Sequence, residues 1–286
     1  MKIIKYFFEF IVISFLFSIY KVFGLKISSF IGGKLSEIFG PLFRSKEIIK
    51  SNIQKAFPKI SLLEINDIKK SMWNNYGRTL SEYMFLKDFR NNKLRSNINL
   101  EGKEILAQIR YEKKPVIFIS GHFSNFELMA MQIEKSGIDL AAIYRPLNNI
   151  FLNVIMEKIR KKYICENQIK KGTGGVRKLL KLFKKGHSIA LMIDQRVSEG
   201  IKSKFFNADA FTTTIPAQFI KKFNCKIVPI YIERHNKINF NIKVENPIEF
   251  SQNDSKEKIT RDLNIWLEKT ILKNPKEWIW SHDRWK

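Results

Sequence analysis

His122-Phe123-Ser124-Asn125-Phe126-Glu127 places an imidazole five residues ahead of a carboxylate. It follows Pro115-Val116-Ile117-Phe118-Ile119-Ser120 and Gly121, an apolar run bracketed by proline and glycine. Such a run reads as a short buried strand that ends in a turn. Leu128-Met129-Ala130-Met131-Gln132-Ile133 then reads as a helix, so His122 falls in the turn and Glu127 in the helix's first turn. Strand ends of this kind border ligand crevices in α/β sheets. The arrangement brings a base and an orienting acid to one mouth. Ser124-Asn125-Phe126-Glu127 also has the S-x-x-E form of a capping box, in which Glu127 only bonds backbone. Taken alone, H-x4-E does not choose between the two readings.

Working outward, residues 47–57 look helical and stop at Pro58. Ser61-Leu62-Leu63-Glu64 is a second capping box, opening a long amphipathic stretch that reaches Phe89. After the central strand and helix, residues 140–144 read as a second short strand, closed by Arg145-Pro146. Residues 149–164 have helical spacing, with Arg160 at the flank of the apolar stripe. Gly172-Thr173-Gly174-Gly175 lacks the Lys-Ser/Thr of a phosphate loop and reads as a flexible turn before a helix over 176–185. Residues 188–193 form a buried strand that ends at Asp194. Thr214-Ile215-Pro216 opens a helix, 226–233 is a strand, 238–244 alternates as another, and an amphipathic helix over 259–272 follows. Strands alternating with helices predict an α/β fold with a mixed central sheet flanked by helices. No linker-like composition divides residues 31–286, which read as a single domain.

Lys and Arg exceed Asp and Glu to give a net charge of +24, which favours anionic partners. Part of that excess follows from A/T-rich codon usage, since Lys, Asn and Ile are all abundant. The basic residues are spread along the chain rather than clustered with stacking aromatics, so nucleic acid is not the expected partner. Two cysteines and four histidines, widely separated, build neither a disulfide framework nor a metal cluster. Cys225 reads as a small core residue.

The N-terminus differs in composition. Residues 1–30 read as a hydrophobic, membrane-anchoring helix. Its uncharged run, Phe10 to Tyr20, is shorter than the ~20 residues a bilayer span needs. A span requires Lys5, Glu9 and Lys21 to snorkel, whereas a helix lying in the interface does not.

Five blocks, in order, resemble the lipid A biosynthesis acyltransferases, the late lauroyl and myristoyl transferases of the His-x4-Asp/Glu superfamily. Gly121 to Glu127 is similar to their G-H-x-G-N-W-E. Tyr144-Arg145-Pro146, with Asn148-Asn149 and Arg160, resembles the next block, and Asp194-Gln195 their D-Q. Phe205-Phe206-Asn207-Ala208-Asp209-Ala210-Phe211-Thr212 resembles F-F-G-x-x-A-x-T, and Trp280-Ser281-His282-Asp283-Arg284-Trp285-Lys286 resembles the W-x-H-x-R-W/F-K ending. Departures are Ser124 for Gly, Phe126 for Trp and Asn207 for Gly. Asn tolerates a left-handed backbone, and Ser124 is suited to cap the helix.

The resemblance implies an acyltransferase on the cytoplasmic side of the inner membrane, without metal or cofactor. It would move a fatty acyl group from acyl carrier protein to the hydroxyl of a 3-hydroxyacyl chain on a lipid A precursor, on an anionic membrane. It implies His122 as general base and Glu127 as the acid that holds the ring. Arg145, Arg160 and Asp194 are the implied substrate-binding residues, the arginines because a guanidinium forks two bonds to phosphate. His282 reads as structural. Acyl transfer to a glycerophospholipid or a mannosylated inositol lipid shares the same core, and a non-enzymatic basic membrane scaffold needs no His122 at a strand end.

Overall fold

The computed structural model describes residues 2–286, apart from the side chain of Thr173. In chain order the strands are β1 (Ile98–Glu101), β2 (Ile117–Ser120), β3 (Leu140–Tyr144), β4 (Asn167–Lys170) and β5 (Ser188–Met192). They continue as β6 (Ile201–Phe205), β7 (Ala208–Thr212), β8 (Ile227–His235) and β9 (Asn239–Val244). Seven of them make one sheet in the order β1-β9-β8-β2-β5-β3-β4, while β6 and β7 pair as a separate hairpin. Strands β8, β2, β5, β3 and β4 run parallel, and β9 turns the sheet antiparallel at β8. The sheet is therefore mixed, as its apolar runs predict.

Burial follows strand type. All four residues of the central parallel strand β2 are buried, the pattern of a strand covered on both faces. Strand β9 alternates instead, with Phe240, Ile242 and Val244 buried. The Phe205–Thr212 block supplies the turn and the second strand of the hairpin. Its two-residue turn is Phe206 (φ 49°) and Asn207 (φ 60°), the double left-handed conformation that matches strand twist. The C-terminal block docks on this hairpin. Arg284 is fully buried there, donating to Phe211 O at 2.8 Å and Thr212 Oγ1 at 2.7 Å, with its guanidinium 4.8 Å over the Phe205 ring.

The helices are α1 (Lys2–Phe39), α2 (Lys46–Ala56), α3 (Leu62–Glu82), α4 (Leu86–Arg90) and α5 (Lys103–Glu112). After them come α6 (Glu127–Lys135), α7 (Ile150–Tyr163), α8 (Thr173–Lys184), α9 (Ile215–Phe223) and α10 (Lys256–Lys273). Ser61 and Glu64 close the expected capping box at the start of α3. The stretch expected to run unbroken to Phe89 is interrupted after Glu82 by a 3-10 turn, Tyr83–Phe85. The change of winding sits where Glu82 and Tyr83 both turn inward, to Arg234 and Glu127 respectively.

The glycine run at 172–175 is not a turn ahead of its helix. Helix α8 begins at Thr173 and takes in Gly174 and Gly175. A Cβ at Gly175 would lie 2.2 Å from Lys170 O, so only glycine lets the helix start press against the end of β4. Helix α1 is long and apolar enough to cross a membrane by length and composition. Its backbone breaks at Gly24 (φ 75°, ψ 169°), and the part beyond packs on α3.

Candidate active site

The site forms where the parallel strands end. The chain leaves β2 toward β3 and leaves β5 toward β8, opposite directions across the sheet, with β2 and β5 as neighbours. Such a reversal opens a crevice at the strands' carboxyl ends. His122 stands two residues beyond β2, and Asp194 two residues beyond β5.

These two residues meet. Asp194 Oδ1 lies 2.8 Å from His122 Nδ1, while Oδ2 accepts the His122 main-chain N–H at 2.7 Å and the Trp278 indole N–H at 2.9 Å. Because a carboxylate only accepts, this geometry assigns the proton to Nδ1 and leaves Nε2 bare. Nε2 has no hydrogen-bond partner among the described residues. The ring packs edge-on against Phe126, centroids 4.8 Å apart. Burial would lower the imidazole pKa, but the charge and hydrogen bond of Asp194, with help from the charge of Glu127, raise it above its ordinary value. Burial likewise works against the Asp194 carboxylate, yet His122 and the Trp278 donor hold it down at about 2.

The sequence expectation put Glu127 on the imidazole, and here it needs correction. Glu127 opens α6 as expected, but Oε1 accepts from Arg160 Nε at 2.9 Å and Nη2 at 2.7 Å, and from the Tyr83 hydroxyl. Arg160 Nη2 also donates to the Tyr83 oxygen at 2.9 Å, and the guanidinium lies 5.7 Å over the Tyr144 ring. Arg160 is thus drawn onto Glu127 rather than standing free for phosphate. A buried carboxylate at the root of α6 and a guanidinium from α7 satisfy each other, at the cost of the fork that phosphate recognition needs.

The alternative capping-box reading also fails. Ser124 takes φ 44°, in the region that favours glycine, its hydroxyl is buried without a partner, and α6 has no side-chain cap. The loop is pinned from outside instead. Ser124 N–H donates to Glu277 O at 3.3 Å, and its carbonyl accepts from Thr79 Oγ1 at 3.0 Å. Asn125 Nδ2 donates to Glu82 Oε2 at 2.9 Å, and Glu82, fully buried, pairs with Arg234 from β8.

Arg145 follows β3, is exposed and pairs with no acid among the described residues. Lys171 follows β4, where its N–H bonds Tyr144 O at 2.9 Å. Burial and then the charge of Arg145 lower the Lys171 pKa, so the two cations share the rim. His282, from the C-terminal block, is held beside the loop after β5. Its Nε2 accepts the Arg196 main-chain N–H at 3.1 Å, and burial pushes it down to about 4.

Sequence reasoning missed Tyr83, Glu82, Arg234 and Trp278. Trp278 lies two residues before the C-terminal block that starts at Trp280, and that nearness is its only signal. Glu82 and Tyr83 stand inside an amphipathic helix, where charge and hydroxyl look like an ordinary solvated face.

The arrangement is that of an α/β enzyme whose histidine has one nitrogen held by a carboxylate and the other open. The sequence pattern of the bacterial lipid A biosynthesis acyltransferases matches residues 1–286, and the chain belongs to that family. It is 20% identical over 262 residues to the lipid A biosynthesis palmitoleoyltransferase of Escherichia coli (strain K12), covering 90% of this chain and 84% of that protein. Similarity to the lauroyltransferase of the same organism is 23% over 262 residues, covering 89% and 82%. For its myristoyltransferase the figures are 21% over 254 residues, 87% and 76%.

Proposed function

We propose that this protein transfers a fatty acyl group from acyl carrier protein to the hydroxyl of a 3-hydroxyacyl chain on a lipid A precursor. The observation that carries the reading is the Asp194-held His122, with Nε2 open at the carboxyl edge of the sheet. An alkyl hydroxyl is a poor nucleophile until its proton is being removed, and His122 Nε2 removes it. The oxygen then forms a bond to the thioester carbonyl carbon. As the tetrahedral intermediate collapses, the C–S bond breaks and the thiolate takes the proton back from the imidazolium. Asp194 stabilises that imidazolium, and Trp278 keeps Asp194 in place. The N–H groups of Phe126 and Glu127, without backbone acceptors among the described residues, are the donors this scheme assigns to the developing oxyanion. No acyl-enzyme is required.

Glu127 acts at one remove in this scheme. It anchors Arg160 and Tyr83 and adds negative charge near the imidazole. Arg145 and Lys171 on the rim suit a phosphate of the pantetheine arm or of the disaccharide. An acidic carrier protein and a phosphorylated lipid both fit a chain of charge +24. The donor is cytosolic, so the domain faces the cytoplasm from the inner membrane.

Mass spectrometry of lipid A from a deletion strain tests this. A loss of one secondary acyl chain, restored by the wild-type chain and not by His122→Ala, is the expected result. Unchanged lipid A together with an altered glycerophospholipid profile would move the acceptor to another membrane lipid.

A further inference from the structure

Helix α1 exposes apolar side chains along its first part. Ile4, Phe8, Val12, Phe15 and Val22 are between 62% and 82% exposed. Yet this part does not project from the domain. Near one end Lys21 Nζ donates to Asp88 Oδ2 at 2.9 Å and to Met84 O at 3.2 Å. Near the other, Asn149 Nδ2 donates to Tyr6 O at 2.8 Å and to Glu9 Oε2 at 3.1 Å. The Phe151 ring sits 5.7 Å from Phe7 and 5.9 Å from Phe10, and Phe17 and Tyr20 are buried between the two clamps.

From Tyr6 to Lys21 the helix is therefore fixed along the flank of the domain for roughly 22 Å, at ~1.5 Å per residue. Set across a bilayer, it would carry Asp88, Glu9 and Asn149 with it into a hydrocarbon layer about 30 Å thick. Its kink at Gly24 and its short uncharged run oppose a span as well.

Helix α7 continues the same surface. Ile150 and Val154, on either side of Phe151, are each 53% exposed. One and two turns further along that stripe come Lys158 and Lys161, both exposed. Apolar residues followed by lysines are the composition of a helix that dips into a lipid interface and meets anionic headgroups. Exposed Lys2, Lys5 and Lys26 on α1 repeat that pattern. A second copy of a chain with charge +24 would be repelled from this face, whereas anionic lipid would be drawn to it.

We propose that the first part of α1 lies flat as a strap in the interfacial layer of an anionic bilayer, and that the first turn of α7 enters the same layer beside it. Asn149 joins the two helices and is four residues from Arg145 on the rim of the crevice. The strap thus holds the lipid surface level with the mouth in front of His122. A lipid acceptor then reaches the base without leaving the interface, a consequence that rests on the proposed function; the strap itself does not.

Depth-dependent fluorescence quenching tests the strap on the full chain. Labels go singly on Ile4→Cys, Val12→Cys, Val22→Cys and Val154→Cys, in a Cys225→Ala background, since Cys165 is buried. The vesicles are phosphatidylethanolamine with phosphatidylglycerol, brominated at shallow or deep acyl positions. All four labels should report one shallow depth. Replacing Ile150 and Val154 together by Asp should weaken vesicle binding by about tenfold or more, with an unchanged thermal melt.

A Val12 label near the bilayer centre, with Ile4 and Val22 shallow, would overturn the strap in favour of a span. An unquenched Val154 label would remove α7 from the interface. Labels that are shielded only as the chain self-associates, with no quenching by lipid, would make a second copy the occupant and overturn the proposal. No acyl donor is present in these measurements. A shallow strap on a protein that acylates nothing would therefore keep this inference and remove the function.

Discussion

The Asp194 carboxylate grips His122 at two points, the ring Nδ1 at 2.8 Å through Oδ1 and the main-chain N–H at 2.7 Å through Oδ2. One group thereby fixes both the tautomer of the imidazole and the turn that carries it. The third donor on that carboxylate, Trp278, comes from the far end of the chain. The site is a closure between β2, β5 and the C-terminal segment rather than a property of the H-x4-E stretch.

His122→Ala should lower acyl transfer by about 10²–10⁴-fold without unfolding the protein, the usual worth of a positioned base. Asp194→Asn should be comparably severe, because an amide can accept on one side only and carries no charge for the imidazolium. Steady-state assays with acyl carrier protein as donor read both. Wild-type turnover by either folded variant would remove that residue from the chemistry.

Trp278→Phe keeps the packing and deletes one hydrogen bond to an ionised group, worth ~1.5–3 kcal/mol. We expect kcat to fall about tenfold or more. With Asp194 less well held as an anion by the indole, its pull on the imidazolium grows, so the acid limb of the rate profile should move to higher pH. A purely structural loss would lower the active fraction and leave that limb in place.

The pH dependence has opposite signs for rate and for stability. As the proposed base His122 must be neutral, and its pKa is raised, so activity should climb with pH through a value above ~6.5. The same raised pKa gives stability that is fully present below ~6.5 and lost as pH rises through the folded value. Asp194 contributes stability present above ~3.9 and lost as pH falls toward about 2. Rate profiles and melting curves across the same buffers check both. A rate that falls between pH 6 and 8 would contradict the base assignment.

Ser124→Gly should stabilise the protein. The substitution relieves a left-handed conformation that costs a residue with a Cβ roughly 1–2 kcal/mol, and it removes a buried hydroxyl that has no partner. The larger unfolded freedom of glycine returns about 0.5–1 kcal/mol of that. A net gain near ~1 kcal/mol raises Tm by about 2–4 °C, readable in a thermal melt. A lower Tm would mean that the hydroxyl holds the loop after all.

Much of this fold is legible in the sequence because its signals are local. An apolar run bracketed by Pro115 and Gly121 locates β2, one that stops at Asp194 locates β5, and the Ser61–Glu64 pair marks the start of α3 to the residue. Strands β1 and β4 escape notice because they are four residues long, with two polar residues in β1 and three in β4. Ser124-x-x-Glu127 misleads for a physical reason. Its form is that of a cap, but Ser124 is left-handed, bonded through its backbone to Thr79 and Glu277, and Glu127 pairs with Arg160. Which carboxylate reaches His122 is likewise decided by sheet order, since Asp194 is 72 residues away and adjacent only because β5 inserts beside β2.

Asp194, and not Glu127, holds the imidazole with Nε2 open. Nitrogen-15 NMR of the labelled His122 ring, followed through a pH titration, measures this directly. The expected result is a neutral form protonated at Nδ1 and a pKa above ~6.5, with a large drop in that pKa in Asp194→Asn and a smaller one in Glu127→Gln. A neutral form protonated at Nε2, or a drop larger in Glu127→Gln than in Asp194→Asn, would contradict it.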